Sequence, residues 1–373
     1  MQHRYRLDTR VLSVFFLVVM PFVALGAFLV IGMARGALGE QVGDNLEQRA
    51  FQTRVALERY VGDTCVQLRL IAAWPEVKAA LAAPVKAPGA DEAARVSAAW
   101  TKGDADLHAS LVGNPTAARL REVTRVRPAL RLLQVVDAQG RLLASSSRGG
   151  RAWNAEAPWF RGLAGDPPAE RPWMSDVYQS QGSSLAVFDV AWPVLDEAGV
   201  LRGALRAVVD ASDLYGVLAA VRVGRTGHAE LARLTDGMVL ASDDASRVLR
   251  ATVPGFAYVR AAMAERRGYW LVPDIEAGEG RPAEGARVLG FSPTEQLPGV
   301  QWLVLVEQDY DEALAPVAKV TRLLWLHFLG AFGTAILLGL YFSYKLEKPV
   351  IEERIHLHEE HVPRGAKLAN AAE

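Results

Sequence analysis

The sequence predicts an α+β domain connected to two membrane-spanning helices. Residues 11–33 and 323–344 are apolar runs without Asp, Glu, Lys or Arg, and each is long enough as a helix to cross a hydrocarbon core of about 30 Å. The long segment between them combines helical and strand-like patterns, as a folded domain does. We therefore expect a membrane protein whose largest part lies outside the bilayer.

Composition narrows the classes of function. The 373 residues carry a formal net charge of −1, which is not the basic footprint that nucleic-acid binding requires, so no nucleic-acid partner is expected. Cys65 is the single cysteine and excludes an intramolecular disulfide. The domain must therefore be held together by its apolar core.

Short basic flanks predict the orientation of the two spans. The basic residues lie on the terminal sides of the spans, at Arg4, Arg6 and Arg10 and at Lys345, Lys348 and Arg354. By the positive-inside rule, residues 1–10 and 345–373 are expected in the cytoplasm and residues 34–320 outside the bacterial inner membrane. A cleaved signal peptide is the alternative for the first run, although its apolar region is normally shorter.

A long helix is predicted over residues 36–81, after the first span. Its apolar residues recur at helical spacing, at Val42, Leu46, Ala50, Leu57, Val61, Cys65, Leu68 and Ile71. Phe51 and Val55 lie beside this stripe and widen it, so the helix can pack on the domain, on a second protomer or on both in turn. A homodimer is expected from the second of these. A helical pattern resumes from about Asp91 to Leu111.

Strand patterns follow the helices. Short apolar runs surround turns at residues 137–140, 196–199 and 235–237, which predicts hairpins. Between the second and third turns, Ser212 is a candidate N-cap for a helix that begins near Ala211. Two α/β modules in tandem are expected, at about residues 112–220 and 221–316.

The order of these parts resembles the double Cache family of extracytoplasmic sensor domains, over most of residues 36–320. The matching segments are APWF at 157–160, WMSDVYQS at 173–180, AWPVLDEAGVLRGALRAVVDASDL at 191–214, GRTGHAELARLTDGMVLAS at 224–242 and VLGFSPTEQLPGVQWLVLVEQDYDEALAP at 288–316. The resemblance implies a long helix and two tandem PAS-like modules, the first membrane-distal and the second membrane-proximal. Relatives occur in chemoreceptors, sensor kinases and cyclic-dinucleotide signalling proteins.

The resemblance also implies a ligand pocket in the membrane-distal module, formed by aromatic residues and a carboxylate. The positions that match in order are Trp159, Trp173, Tyr178 and Asp210, and Asp189 lies on a strand between them. Aromatic faces and a carboxylate suit a cationic or zwitterionic ligand. The alternative is that the tryptophans are core residues and that Asp210 caps the following helix.

One departure from the family concerns the ligand's carboxylate. Members that bind amino acids have an arginine two residues before the tryptophan of their Arg-x-Trp-Tyr element, where this chain has Ala157. Arg151 or Arg161 is a possible substitute. The sequence thus favours an amine, an organic acid or another small metabolite over an α-amino acid, which stays open.

The C-terminal segment LEKPVIEERIHLHEEH resembles the start of a HAMP linker, with Pro349 and Val350 at the expected positions. An output domain needs on the order of 100 residues, so the output module is expected either on a separate cytoplasmic signalling partner or on a part of a longer receptor that truncation has removed. His356, His358 and His361 are interpreted as solvated tail residues rather than metal ligands. No metal or cofactor is predicted.

Three functions follow from these patterns. The preferred one is a membrane-anchored sensor that transmits binding of a small molecule across the inner membrane. A scaffold with a Cache-like domain that binds no ligand is the second. An anchored periplasmic hydrolase is the third, and it is disfavoured because the sequence has no Gly-x-Ser-x-Gly, phosphate-loop or His-Glu-x-x-His motif.

Overall fold

The computed structural model describes residues 9–82, 89–165, 171–180, 183–265, 268–273 and 285–346. The chain divides into two compact units, one of residues Glu40–Ala313 and one of the two chain ends, Met1–Gly39 and Leu314–Glu373. The predictions for residues 1–8 and for the histidines of the C-terminal segment lie outside the described residues.

The described helices are α1 (Thr9–Ala72), α2 (Pro75–Leu81), α3 (Ala90–Lys102), α4 (Ala105–Val112), α5 (Pro115–Val126), α6 (Pro158–Leu163), α7 (Ser212–Ala219), α8 (Phe256–Ala264), α9 (Tyr310–Ala313) and α10 (Ala315–Leu346). The described strands are β1 (Leu130–Asp137), β2 (Leu142–Ser145), β3 (Trp173–Met174), β4 (Tyr178–Gln179), β5 (Ala186–Leu195), β6 (Leu201–Asp210), β7 (His228–Arg233), β8 (Val239–Ala241), β9 (Tyr269–Val272), β10 (Arg287–Pro293) and β11 (Trp302–Asp309).

Among the described residues, two helical segments are long and apolar enough to cross a membrane. They are Pro21–Ala72, which belongs to α1, and Ala318–Tyr341, which belongs to α10. Large apolar side chains in both are exposed, such as Phe28 at 70% and Leu337 at 68%. Exposure of this kind is expected where lipid rather than protein covers a helix.

Prolines and glycines set the helix boundaries more finely than the apolar pattern does. α1 runs from Thr9 without a break, and Pro75 opens α2 as its first residue, a position where the missing N–H costs nothing. The helical pattern expected from Asp91 to Leu111 is two helices. Gly103 ends α3 in the left-handed region, with φ of 78°, a conformation that favours glycine.

The first sheet contains β1 to β6 in the order β2-β1-β6-β5-β3, with β4 also paired to β5. Every pairing in it is antiparallel. The two hairpins expected at residues 137–140 and 196–199 connect β1 to β2 and β5 to β6. The second sheet has the order β8-β7-β11-β10-β9 and is also antiparallel. The predicted α+β class is therefore confirmed.

One apolar core joins α1 to both sheets. Leu46, Leu57 and Leu68 of α1 are fully buried in the same cluster as Phe188 of the first sheet and Trp302 of the second. Cys65 also lies in this cluster and is 8% exposed.

A close approach fixes α1 against the second sheet. A Cβ atom at Gly290 of β10 would overlap the backbone of Leu46 and Glu47, so glycine permits direct packing there. Because both sheets contribute to the cluster that contains α1, each sheet has an inner face that packs on α1 and an outer face that points away from it.

The outer face of the second sheet carries a buried network of charges. His228 Nε2 lies 3.0 Å from Glu307 Oε1, which also accepts a hydrogen bond of 3.0 Å from Arg287 Nη1. Arg247 pairs with Glu230 at 3.2 Å. Each of these cations contacts a carboxylate, which reduces the free-energy cost of burying their charges on this face of the sheet.

Both ring nitrogens of His228 face acceptors, since Nδ1 lies 3.1 Å from the carbonyl oxygen of Thr226. The hydrogen bond to Glu307 raises the pKa of His228 to about 9, although burial opposes this. Burial raises the pKa of Glu307, but the hydrogen bond from His228 and the charge of Arg287 outweigh it and lower the pKa. The imidazolium is therefore a structural cation at neutral pH.

The stability of the domain should depend on this cation. A folded-state pKa of about 9, above the ordinary 6.5, stabilises the fold below pH 6.5, and the stabilisation is lost as the pH rises through 9. We expect His228→Gln to lower the free energy of unfolding by about 1–2 kcal/mol at pH 6, because partial exposure of the imidazole weakens the effect.

Denaturant unfolding of both proteins from pH 6 to pH 9.5 measures this dependence. The difference between wild type and His228→Gln should shrink as the pH rises. A difference that stays constant over this range would show that His228 contributes through packing rather than charge. His327→Gln, at an exposed position in α10, is the matched control.

Candidate functional site

The outer face of the first sheet combines polar and apolar rows. Alternate residues of β1, β5 and β6 point to this face because side chains on a strand alternate between its two faces. Gln134 of β1 pairs in register with Arg206 of β6, while Asp189 of β5 pairs with Val208. A polar row therefore crosses three neighbouring strands at the middle of this face.

Asp189 and Arg206 form the centre of this row. Arg206 Nη2 donates to Asp189 Oδ2 over 2.8 Å, and the two side chains are only 12% and 8% exposed. Tyr178 Oη donates to the other carboxylate oxygen, Oδ1, over 2.9 Å. Arg206 Nη1 donates to Gln134 Oε1 over 3.2 Å. The pair is thus buried and hydrogen-bonded on both sides.

Tyr178 stays a neutral donor. Burial and the negative charge of Asp189 raise the pKa of its phenol to about 12, against the opposing charge of Arg206. Arg206 still has a donor available, because its buried Nε has no hydrogen-bond partner in the part of the chain that the structure describes. A buried donor without a partner costs free energy, so an incoming acceptor would be favoured there.

Aromatic residues cover one end of the polar row. The guanidinium of Arg206 lies over the ring of Trp159 at 5.6 Å from its centroid, and Trp159 meets Phe160 edge to face at 5.5 Å. Trp173 of β3 contacts Gly162, which lies on α6 together with Trp159. A Cβ atom at Gly162 would overlap the ring of Trp173. Trp159 is 3% exposed, so it belongs to the packed layer above the sheet.

A second aromatic pair, from α3 and α4, joins this layer. Trp100 and His108 stack with their ring centroids 4.2 Å apart, and Trp100 Nε1 donates to the carbonyl oxygen of Gly150 over 3.0 Å. The neighbouring carbonyl of Gly149 accepts from Gln134 Nε2, also over 3.0 Å. The aromatic layer is thereby connected to the polar row.

Asp210 lies elsewhere on the face and has its own partners. It accepts from Arg131 Nε over 2.9 Å and from the backbone N–H of Ser212 over 2.8 Å. Its pKa is lowered, since the hydrogen bonds from Ser212 and Arg131 outweigh the effect of burial. The expectation that Ser212 caps α7 is wrong: α7 begins at Ser212 with Ala211 as its N-cap and no side-chain cap, and the hydroxyl of Ser212 donates to Asp210.

The structure connects four of the five predicted residues by a chain of contacts that runs along the face, and Asp210 lies outside this chain. Tyr178 and Asp189 are hydrogen-bonded, and Arg206 connects Asp189 to Trp159, whose helix contacts Trp173. Asp210 and Tyr178 pair with the same residue, Val187, from opposite sides. They are therefore two strand spacings, or about 10 Å, apart.

Arg206 is the residue that the sequence reasoning missed. The substitutes considered for the absent arginine at Ala157 were Arg151 and Arg161, and both are exposed. The signal for Arg206 was a single charge between Leu205 and Ala207, in a strand otherwise apolar enough to be buried. A charge in that position needs a buried partner.

The chemistry available at this face is charge recognition beside an aromatic surface. The described residues contain no group of three His, Cys, Asp or Glu side chains that could hold a metal ion. Asp189, Arg206 and Tyr178 together present an acceptor, a cation and a hydroxyl within one hydrogen-bonded group.

Comparisons with known proteins place this geometry in context. The chain is similar in structure to the ligand-binding domain of the Pseudomonas fluorescens chemoreceptor CtaA, solved with L-isoleucine, at 16% identity, a TM-score of 0.47 and coverage of 76% of this chain and 98% of that one. The ligand-binding domain of the chemoreceptor PctC from Pseudomonas aeruginosa, solved with GABA, is 17% identical, has a TM-score of 0.46, and covers 72% of this chain and 99% of that one. The extracellular domain of the putative histidine kinase rpHK1S-Z16 is 16% identical, has a TM-score of 0.48, and covers 74% of this chain and 97% of that one.

No curated protein matches the chain. A family model described as the Cache domain, in its double form, matches residues 34–317. This match spans α1 beyond its first part, both sheets and the start of α10. The chain therefore belongs to the double Cache domain family.

Proposed function

We propose that the chain is a membrane-anchored extracytoplasmic sensor that binds a small zwitterion at the outer face of the first sheet. Membership of the Cache family supports a small-molecule sensor. The observation that carries the choice of ligand is the buried pair of Arg206 and Asp189.

The argument for a zwitterion is charge compensation. A ligand that enters between Arg206 and Asp189 separates them, and an unpartnered charge at a buried site costs about 3–5 kcal/mol. A simple amine would pair with Asp189 and leave Arg206 alone, while a simple carboxylate would do the reverse. A ligand with both groups keeps both protein charges paired.

Arg206 thereby supplies what Ala157 does not. The missing arginine disfavoured amino acids in the sequence, but a cation on β6 faces the same aromatic layer through Trp159. Trp159, Trp173, Tyr178 and Asp189 are proposed as further ligand-binding residues. Asp210, which is paired with Arg131, is proposed to shape the edge of the site rather than to receive the amine.

A matched series of compounds tests the charge argument. GABA, butylamine and butyrate share a four-carbon chain but are a zwitterion, a cation and an anion. L-leucine, isoamylamine and 4-methylpentanoate repeat the comparison with an α-amino acid. At about 100 times its Kd, a ligand adds about 2.7 kcal/mol of stability, and we expect one zwitterion to raise Tm by about 5 °C.

Two variants should change which of these compounds binds most tightly. Arg206→Gln removes the cation, so binding of the zwitterion should weaken about tenfold or more relative to the amine, and Asp189→Asn should shift preference towards the carboxylate. Arg202→Gln, on the same strand but 61% exposed, is the control and should bind as the wild type does. Equal binding of all three charge types would contradict the proposal.

A scaffold that binds no ligand is the second candidate. The observation in its favour is that Asp189, Arg206 and Asp210 already have protein partners, so the face is stable as it is. Absence of any shift across zwitterions, with a well-folded protein, would favour this function.

The proposed topology places residues 1–10 and 345–373 in the cytoplasm and residues 34–320 outside the bacterial inner membrane. Residues 11–33 and 323–344 are the proposed spans, and residues of about 112–220 and 221–316 are the proposed membrane-distal and membrane-proximal modules. Signals would pass to an output module on the cytoplasmic side of the membrane.

Cysteine labelling tests this orientation. Ala198→Cys lies in the exposed turn between β5 and β6, and the native Cys65 is buried. A membrane-impermeant maleimide should label it in cells whose outer membrane is permeabilised, while Ala366→Cys should react only after lysis. The opposite pattern would place the domain in the cytoplasm.

A homodimer is proposed to form along α1. Phe51, Val55, Val66 and Leu70 are 36–62% exposed, and their spacing of 4, 11 and 4 residues puts them on one side of the helix. This side is distinct from the buried stripe that contains Leu57 and Leu68. Exposed apolar residues in such a row are typical of a helix that packs on a second helix.

Charged substitutions on this side should abolish the dimer. We expect the full chain in detergent to be dimeric by light scattering, and the double variant Val66→Glu/Leu70→Glu to be monomeric, because burying two carboxylates is costly. Leu271→Glu, which changes a 45% exposed residue of β9, should remain dimeric. A double variant that also stays dimeric would show that another surface is used.

A further inference from the structure

A short segment connects the candidate ligand site to the second sheet. Residues 173–178 contain β3 and the start of β4, and two of their residues, Met174 and Val177, are buried in the core shared with α1. The segment therefore belongs to the first sheet, where β3 and β4 pair with β5, and it places two of its side chains in the core between the sheets.

One side of this segment is bound to Asp189. Ser175 N donates to the carbonyl oxygen of Asp189 over 3.0 Å, and Asp189 N donates to Ser175 Oγ over 2.8 Å. The Tyr178 hydroxyl donates to the Asp189 carboxylate. Any displacement of Asp189 by a ligand therefore acts on the segment at two residues, Ser175 and Tyr178.

The other side of the segment is bound to the second sheet through Asp176. The indole Nε1 of Trp302 donates to Asp176 Oδ1 over 2.9 Å, and Arg233 Nε lies 3.1 Å from Oδ2. Trp302 and Arg233 are partners in register on β11 and β7. One carboxylate thus contacts two neighbouring strands of the second sheet.

The contact with Trp302 is demanding because the indole is fully buried. Its exposure is 0%, and its ring meets Phe188 of β5 edge to face at 6.1 Å. A buried indole N–H requires an acceptor, and Asp176 provides it. Movement of Asp176 would leave the indole N–H of Trp302 without an acceptor, which would destabilise the position of Trp302 on β11.

We propose that Asp176 is the positioning residue that transmits a change at Asp189 and Tyr178 to strands β7 and β11 of the second sheet. This inference rests on the proposed sensor function and adds a route for its signal. Strand β11 continues along the chain into α9 and α10, so the route ends on the strand that precedes the second candidate span.

The route can be tested without knowing the ligand. Tyr178→Phe removes the hydroxyl that contacts Asp189 and serves as the perturbation of the site. Amide hydrogen exchange of the full chain in lipid nanodiscs is then measured at peptides that cover β11. We expect Tyr178→Phe to change exchange there about threefold or more in the background that contains Asp176.

In the Asp176→Ala background, the same Tyr178→Phe change should leave exchange in β11 unaltered. Asp176→Ala also leaves the indole N–H of Trp302 without an acceptor. Trp302→Phe removes that donor on β11 and therefore repeats the test from the other side of the contact. In this background too, Tyr178→Phe should leave exchange in β11 unaltered. Asp176→Asn keeps an oxygen acceptor for the indole and should retain the coupling.

The matched control is Asp236→Ala. Asp236 also pairs with Arg233, at 2.9 Å, but within the second sheet's own hairpin. Its removal should leave the response of β11 to Tyr178→Phe intact.

Two results would overturn the proposal. One is a change in β5 on Tyr178→Phe with none in β11, and the other is a β11 response that persists in both the Asp176→Ala and Trp302→Phe backgrounds. Failure of every zwitterion to bind, with this coupling present, would refute the ligand proposal and leave the role of Asp176 standing.

Discussion

The fold depends on one apolar stripe along α1 that both sheets share. Leu46, Leu57 and Leu68 are fully buried along the helix, and both inner sheet faces contribute to the same cluster. Since each sheet has one face committed to this core, only its outer face is available for other roles. In both sheets that outer face carries buried charges, centred on Arg206 in one and on Glu307 in the other.

Both charged faces bury carboxylates beside cations. On the second sheet, His228 and Arg287 both contact Glu307, so its carboxylate is shared by two cations. On the first sheet, Asp189 and Arg206 are paired one to one, and a neutral phenol donates to the remaining oxygen. The second sheet also holds a one-to-one pair, Arg247 with Glu230, whose other carboxylate oxygen accepts from Ser242. The first sheet is the candidate site because its pair lies beside the aromatic residues Trp159 and Phe160.

The sequence predicted the broad arrangement because periodicity is a local signal. The helical stripe of α1 and the hairpin turns at residues 137–140 and 196–199 are legible in short windows, and so the α+β class followed. Partners distant in the sequence are not a local signal. The register of β5 and β6 decides the contact of Arg206 with Asp189, and the packing of the two sheets decides the contact of Asp176 with Trp302. The assignment of Asp210 depended on resemblance alone, and its contact with Arg131 could be seen only in three dimensions.

The burial of Cys65 has a consequence for where such a domain can work. A thiol in an oxidising compartment is a target for intermolecular disulfides and for oxidants, and both reactions require access to the sulfur. Cys65 lies between α1 and the shared core with little exposure, so its chemistry is restrained by packing as long as the domain stays folded. Oxidation of this residue would therefore report unfolding rather than redox state, which makes the native thiol a built-in probe of the integrity of the core.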